Sequence, residues 1–230
     1  MTHQKTLGLL GGLGVGATVL YYEGITARCA ERAFVPKLVI AHAHAPTALA
    51  LVTAGKIDEM AMYLAGFANQ LAAAGADVLA IPAITPHICL AEVQQLTPLP
   101  FIDLLEVTAR TIRVRGLKRI ALFGTRFSIE TKLFARLDDF DVVHPKPNEI
   151  AEIHDIYVAI ATSGQGTEQQ VARLRELAHT LCHRDGAEAI VLAGTDLNLV
   201  FDESNIDFPA VDCAAAHIDA IVAHITPSGA

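Results

Sequence analysis

The chain has 230 residues, of which 52% are hydrophobic and 18% charged, and its formal net charge is −8. This length suits one large or two small domains with a substantial buried core. The acidic balance without a basic run argues against nucleic acid as a partner, and no apolar run approaches the ~18 residues of a membrane span, so no membrane partner is expected either.

The beginning of the chain and its cysteines predict a cytoplasmic protein. The first six residues lack the basic-then-apolar layout of a signal peptide. Cys29, Cys89, Cys182 and Cys213 are scattered without any CxxC spacing. In a chain of this kind they are expected to be reduced thiols.

Strands and helices alternate along the first half of the chain. The spacing of apolar residues predicts strands at 5–10, 38–43, 77–82 and near 101–102, and helices at 18–32, 58–74, 86–96 and 104–115. Alternation of this type is typical of parallel-sheet α/β folds.

The pattern then restarts. Lys5 and Lys118, each followed by an apolar strand and then a glycine, are 113 positions apart, and the strand-opening Gly75 and Gly186 are 111 apart. Two landmarks with nearly the same offset indicate two structurally similar halves. The second half is predicted to contain strands at 118–124, 141–144 and 189–193, and helices at 128–137, 149–161 and 168–184. A closing helix at 211–223 is expected to return to the first half.

We therefore predict an α/β fold with two similar doubly wound parallel-sheet lobes related by pseudo-two-fold symmetry. The first lobe is expected to comprise residues 1–102 plus 210–230, and the second residues 103–209. Ligands in such folds bind beyond the carboxyl ends of the strands. A cleft between the lobes is expected there, with Ala83 and Gly194 facing each other.

Three segments carry a resemblance to a known family. They are Leu9-Leu-Gly-Gly-Leu-Gly14, Ile81-Pro-Ala-Ile-Thr-Pro-His87 and Val191-Leu-Ala-Gly-Thr-Asp196. With their order along the chain, they resemble the aspartate/glutamate racemase family. The resemblance implies a homodimer that binds a small carboxylate or amino acid and works without a cofactor such as pyridoxal phosphate.

The resemblance also implies two catalytic cysteines, and both are absent. Ala83 and Gly194 occupy their positions, and Ile84 replaces the asparagine that follows the first. Inversion at a carbon requires that a proton be removed from one face and another be delivered to the opposite face. Neither an alanine nor a glycine side chain can carry a proton. Two-cysteine racemisation is therefore not expected, and any chemistry is predicted to be isomerase-type proton transfer by other groups. A lyase on the same fold, and an inactive protein that binds small carboxylates, remain alternatives.

His87 and Asp196 are the predicted acid/base groups, because both titrate and both lie in the family-like turns. The alternative for His87 is a histidine hydrogen-bonded to the backbone in the first turn of a helix, and for Asp196 a helix cap. The predicted substrate-binding residues are Gly12, Thr85, Thr125 and Thr195. For Thr85 and Thr195, helix capping is again the structural alternative.

Metal binding is not expected. His42 and His44 share one face of a strand, and His179 and His183 are four apart on a helix, but neither pair has an evident third ligand. Either Cys89 or Cys213 could have taken over from the missing thiols, although a lone cysteine is more often a small buried apolar residue.

Overall fold

The computed structural model describes residues 4–130, 137, 139–202 and 204–227. Its backbone divides into two compact units. The first unit ends at Leu104 and resumes at His217, and the second runs from Leu105 to Ala216. Each unit has its own parallel sheet.

The first unit begins with strand β1 and alternates strands with helices. Its elements are β1 (Thr6–Gly11), α1 (Val15–Glu31), β2 (Lys37–His42), α2 (Ala45–Thr53), α3 (Ile57–Ala73), β3 (Val78–Ala80), a 3-10 turn (Thr85–Cys89) and α4 (Leu90–Gln95). The strand order is β2-β1-β3, all parallel. Phe101 adds an isolated parallel bridge to Leu79 of β3.

The second unit repeats this layout. Its elements are α5 (Leu104–Val114), β4 (Arg119–Phe123), α6 (Arg126–Glu130), β5 (Asp141–Val143), α7 (Pro147–Ser163), α8 (Glu168–Asp185), β6 (Ala189–Leu192), a 3-10 turn (Thr195–Leu199), β7 (Ala210–Asp212) and α9 (Cys213–Ile225). The strand order is β5-β4-β6-β7, again all parallel. Helix α9 begins in this unit and, from His217 on, belongs to the first.

The two sheets therefore have the same order for their first three strands. In each, the strand that opens the half lies between the second and third strands, and a short strand segment follows on the far side of the third. The predicted α/β fold with two parallel sheets is confirmed.

Burial of one helix face explains why α3 is stable. Met60, Leu64, Ala68 and Leu71 recur at helical spacing and are at most 1% exposed. They pack in the cluster of buried residues that contains Leu10 of β1. Each large side chain of this kind contributes about 1.5–3 kcal/mol by leaving water.

Several predicted elements differ from the structure. The closing helix was predicted from position 211, but Val211 and Asp212 pair with β6 and Asp212 Oδ1 accepts a hydrogen bond from Ala215 N–H at 2.9 Å, so the helix begins after it. The predicted helix at 86–96 opens as a 3-10 turn, and α2 was not predicted at all. The helix predicted from 128 to 137 begins two residues earlier, as α6 (Arg126–Glu130), and positions 131–136 of the prediction lie outside the described residues.

No helix in the described ranges combines the length and the apolar character that crossing a membrane would require.

Candidate functional site

The turns that follow β1 and β3 lie at the carboxyl edge of the first sheet, where ligands bind in parallel α/β folds. Gly12 follows β1 with a φ of +83°, and a Cβ there would lie 2.2 Å from the carbonyl oxygen of Ala43. Only glycine fits this conformation and this close approach. The Gly12 N–H donates to Thr18 Oγ1 at 3.0 Å, so the amide predicted to bind substrate already has a partner.

The turn after β3 is apolar where the family resemblance placed a cysteine and an asparagine. Ala83 is 9% exposed and Ile84 is 5% exposed. Ile84 is also the N-cap of the 3-10 turn, and it makes no side-chain capping bond. Thr85 is therefore the first residue of the turn rather than its cap, and its side chain is only partly buried.

Both ring nitrogens of His87 are bound to the main chain. Nδ1 lies 2.9 Å from the carbonyl oxygen of Ala83, and Nε2 accepts a hydrogen bond from Leu104 N–H at 3.3 Å. These partners require a neutral ring with its proton on Nδ1. The side chain is 7% exposed. The geometry thus gives His87 a structural task, and its acid/base role stays a prediction.

A second buried histidine lies near His87 and was not singled out from the sequence. His217 Nδ1 is 3.0 Å from Tyr21 Oη, and His217 Nε2 is 2.8 Å from the carbonyl oxygen of Ile102. The carbonyl can only accept, so Nε2 carries the proton and the tyrosine hydroxyl donates to Nδ1. Burial is the main cause that lowers the pKa of His217 to about 3. The 196 positions between Tyr21 and His217 hide this pair in the sequence.

In the second unit, Thr125 caps the short helix α6. Its Oγ1 accepts a hydrogen bond from Ser128 N–H at 3.0 Å and lies 2.9 Å from Ser128 Oγ. Gly124, just before it, packs so closely that a Cβ would lie 2.4 Å from the carbonyl oxygen of Ala193. The predicted binding residue Thr125 therefore has a capping role, and β4 and β6 end side by side here.

Asp196 lies in the 3-10 turn that follows β6. It is 4% exposed and Thr195 is 3% exposed. Tyr157 Oη of helix α7 donates a hydrogen bond to Asp196 Oδ2 at 3.1 Å. Burial, and next the Asp196 charge, raise the pKa of Tyr157 well above its usual value, so the hydroxyl keeps its proton. The N-cap of this turn is Gly194, without a side-chain bond, so Thr195 is again not a cap.

Tyr157 also covers Gly194. A Cβ built at Gly194 would lie 2.2 Å, 2.7 Å and 2.9 Å from three atoms of the Tyr157 ring. The backbone there is extended, with a φ of −147°, which residues other than glycine adopt freely. Glycine is thus required for space and not for conformation. The sequence alone does not reveal this role of Tyr157, since its contacts join residues far apart in the chain.

The thiols nearest these turns are poor bases. Burial, and next the Glu92 charge, raise the pKa of Cys89 to about 12, and its Sγ donates to the carbonyl oxygen of Pro86 at 3.4 Å. Burial likewise raises the pKa of Cys213 to about 12. Few thiolates form at neutral pH under these conditions. In the part of the chain that is described, no three or more His, Cys, Asp or Glu side chains are grouped so as to hold a metal ion.

Comparison with known proteins places this fold and these turns in one family. Residues 10–221 match the family model of the Asp/Glu/Hydantoin racemases. The chain is 24% identical over 217 residues to the broad specificity amino-acid racemase RacX of Bacillus subtilis, covering 91% of this chain and 93% of that protein.

Solved structures share the fold at low identity. A candidate Asp/Glu racemase from Yersinia pestis superposes with a TM-score of 0.85 at 23% identity, covering 96% of this chain and 99% of the other. An aspartate racemase homologue from Pyrococcus horikoshii OT3 gives a TM-score of 0.82 at 22% identity, with coverages of 96% and 99%. On the family match, the chain belongs to the Asp/Glu/Hydantoin racemase family.

Proposed function

We propose that this protein binds a small amino acid or carboxylate and transfers protons at its α-carbon without a cofactor, using Asp196 instead of a thiol. The observation that carries the proposal is the buried Asp196 carboxylate. It lies in the 3-10 turn that follows β6, two residues after Gly194, and accepts a hydrogen bond from the Tyr157 hydroxyl. A carboxylate so held can accept a proton from carbon, leave the electron pair on the substrate as an enolate, and return the proton.

We expect proton transfer at only one face of the substrate α-carbon. Racemisation needs a proton carrier on each face of the carbon, and neither Ala83 nor Gly194, which occupy the positions of the two cysteines that the family resemblance implies, can carry a proton. His87, the other predicted acid/base group, would have to give up a main-chain partner to carry a proton. We therefore expect isomerisation, elimination or exchange at one face, and not the interconversion of enantiomers.

The predicted binding residues differ in how available they are to a substrate. Thr85 is partly buried and does not cap its turn, so its hydroxyl is the best placed to bind a carboxylate. Gly12 N–H and Thr125 Oγ1 already bond Thr18 and Ser128. Thr195 is buried beside Asp196. A homodimer and a cytoplasmic location stay predictions.

The second candidate is a protein that binds the same ligands without reacting them. The apolar pair Ala83 and Ile84 favours it, because these side chains offer a substrate neither a proton nor a hydrogen bond. A protein of this kind would still be stabilised by its ligand.

Incubation in D2O with a panel of small amino acids and carboxylates tests the proposal. We expect one compound to incorporate deuterium at its α-carbon without appearance of the opposite enantiomer, because only one face has a proton carrier. Mass spectrometry and chiral chromatography measure the two outcomes. Thermal stabilisation without deuterium in any compound would establish the non-catalytic alternative, and equal formation of both enantiomers would contradict one-sided chemistry.

His87→Gln separates a structural from a catalytic role for this histidine. Glutamine cannot bond both Ala83 O and Leu104 N–H as the ring does, so we expect the Tm to fall by about 4 °C or more while deuterium exchange stays within about threefold of wild type. Differential scanning calorimetry and the exchange assay give both values. Loss of exchange at an unchanged Tm would instead make His87 the base.

A further inference from the structure

We propose that Tyr157 and Gly194 form an interdependent pair, in which the Tyr157 ring fills the space that a side chain at position 194 would need and its hydroxyl positions Asp196. The steric part of this proposal does not depend on the proposed function. The positioning part rests on the proposed function, because it concerns how the Asp196 carboxylate is presented.

The steric part follows from three distances. The atoms Cε2, Cζ and Cδ2 of the Tyr157 ring would all lie within 3 Å of a Cβ at position 194. Carbon atoms in contact normally stay about 3.5–4.0 Å apart. The Tyr157 ring is partly buried and its hydroxyl bonds Asp196, so the ring cannot move far without losing that hydrogen bond. Any side chain at 194, a thiol included, therefore competes with the Tyr157 ring for one volume.

The positioning part follows from the hydrogen bond. Tyr157 extends from helix α7 and reaches the 3-10 turn 39 residues further along the chain. Its hydroxyl keeps its proton, so it donates to Asp196 Oδ2 across neutral pH. The bond fixes the rotation of the carboxylate, and the hydroxyl itself is not consumed in any step. Tyr157 is in this sense a positioning residue that acts through Asp196.

The pair explains why cysteine is absent at position 194. The hydrogen bond from Tyr157 to Asp196 is compatible only with glycine at position 194. With a thiol at position 194, the Tyr157 ring would have to lie elsewhere. Restoring Gly194→Cys alone is thus expected to displace the ring and break the bond to Asp196.

A thermal double-mutant cycle tests the steric part without any substrate. We expect Gly194→Ala to lower the Tm by about 4 °C or more in the wild-type background and by less than about 1 °C in the Tyr157→Ala background. Gly66→Ala is the matched control: nothing lies within 4 Å of a Cβ there, so the Tm should not fall. An equal decrease in Tm in both backgrounds would show that Tyr157 and Gly194 do not depend on each other.

Tyr157→Phe tests the positioning part, because it removes the hydroxyl and keeps the ring. We expect the exchange rate to fall at least about tenfold and the acid midpoint of its pH profile to rise, since the carboxylate loses a donor that favours its charged form. Tyr63→Phe, which removes a hydroxyl that bonds His44 N–H at 2.8 Å, should leave rate and midpoint unchanged.

The outcomes keep the two proposals apart. If Tyr157→Phe keeps the wild-type rate and midpoint, the positioning role is wrong. If the wild-type protein exchanges no compound, the proposed function fails and the positioning part with it, while the thermal cycle still decides whether Tyr157 and Gly194 depend on each other.

Discussion

Acidification from pH 6.5 towards pH 3 is expected to destabilise the protein, because His217 must stay neutral in the folded state. The unfolded chain binds a proton at this histidine near pH 6.5, and the folded chain only near pH 3. Between these values the unfolded state holds more protons, so the free energy of unfolding falls as the pH falls. By pH 5 the loss should reach about 2 kcal/mol, and denaturant titrations at several pH values measure it.

Protonation of Glu149 also lowers the stability, but at lower pH than the first losses caused by His217. The hydrogen bond from Arg184 is the main cause that lowers the pKa of Glu149 to about 2. Its contribution is present above its ordinary pKa of 4.5 and is lost as the pH falls from there towards 2. Losses above pH 5 therefore come from histidine and not from this ion pair.

His217→Gln identifies the histidine responsible. We expect the variant to be less stable than wild type at neutral pH and to lose less stability than wild type does between pH 6.5 and 5. His144→Gln is the control, because His144 is an exposed histidine. An unchanged slope in His217→Gln, or an equal flattening in His144→Gln, would contradict the assignment.

The sheets could be predicted from sequence because their determinants are local. A buried parallel strand is a short apolar run, and the spacing of Met60, Leu64 and Leu71 is that of a helix with one buried face. Because the pattern of strands and helices begins again at Lys118, the second sheet could be predicted from the first. The three-residue strand β7 was missed because so short a run cannot be distinguished from the start of the helix that follows it.

The turns of the candidate site could also be placed from sequence, since they follow strands. What each side chain does there could not. The hydrogen bond of His87 to Ala83 is local, and it was foreseen as the structural alternative. The bonds from Tyr157 to Asp196 and from Tyr21 to His217 join residues that only the packed fold brings together. Such non-local contacts produce no periodicity or regular spacing in the sequence from which they could be predicted.

Asp196→Asn is expected to lower the rate of deuterium exchange at least about 100-fold, because a carboxamide cannot accept the α-proton at neutral pH. Asparagine has nearly the same shape, and its carbonyl oxygen can accept the Tyr157 hydrogen bond, so the fold and ligand binding should persist. Asp207→Asn, at an exposed carboxylate of the same unit that pairs with Arg175 and His179, is the control and should exchange at the wild-type rate. Exchange and ligand-induced thermal shifts measured on all three proteins decide the question. Full exchange in Asp196→Asn would reduce the buried carboxylate to a structural partner of Tyr157, whereas binding retained without exchange would make it the group that moves the proton.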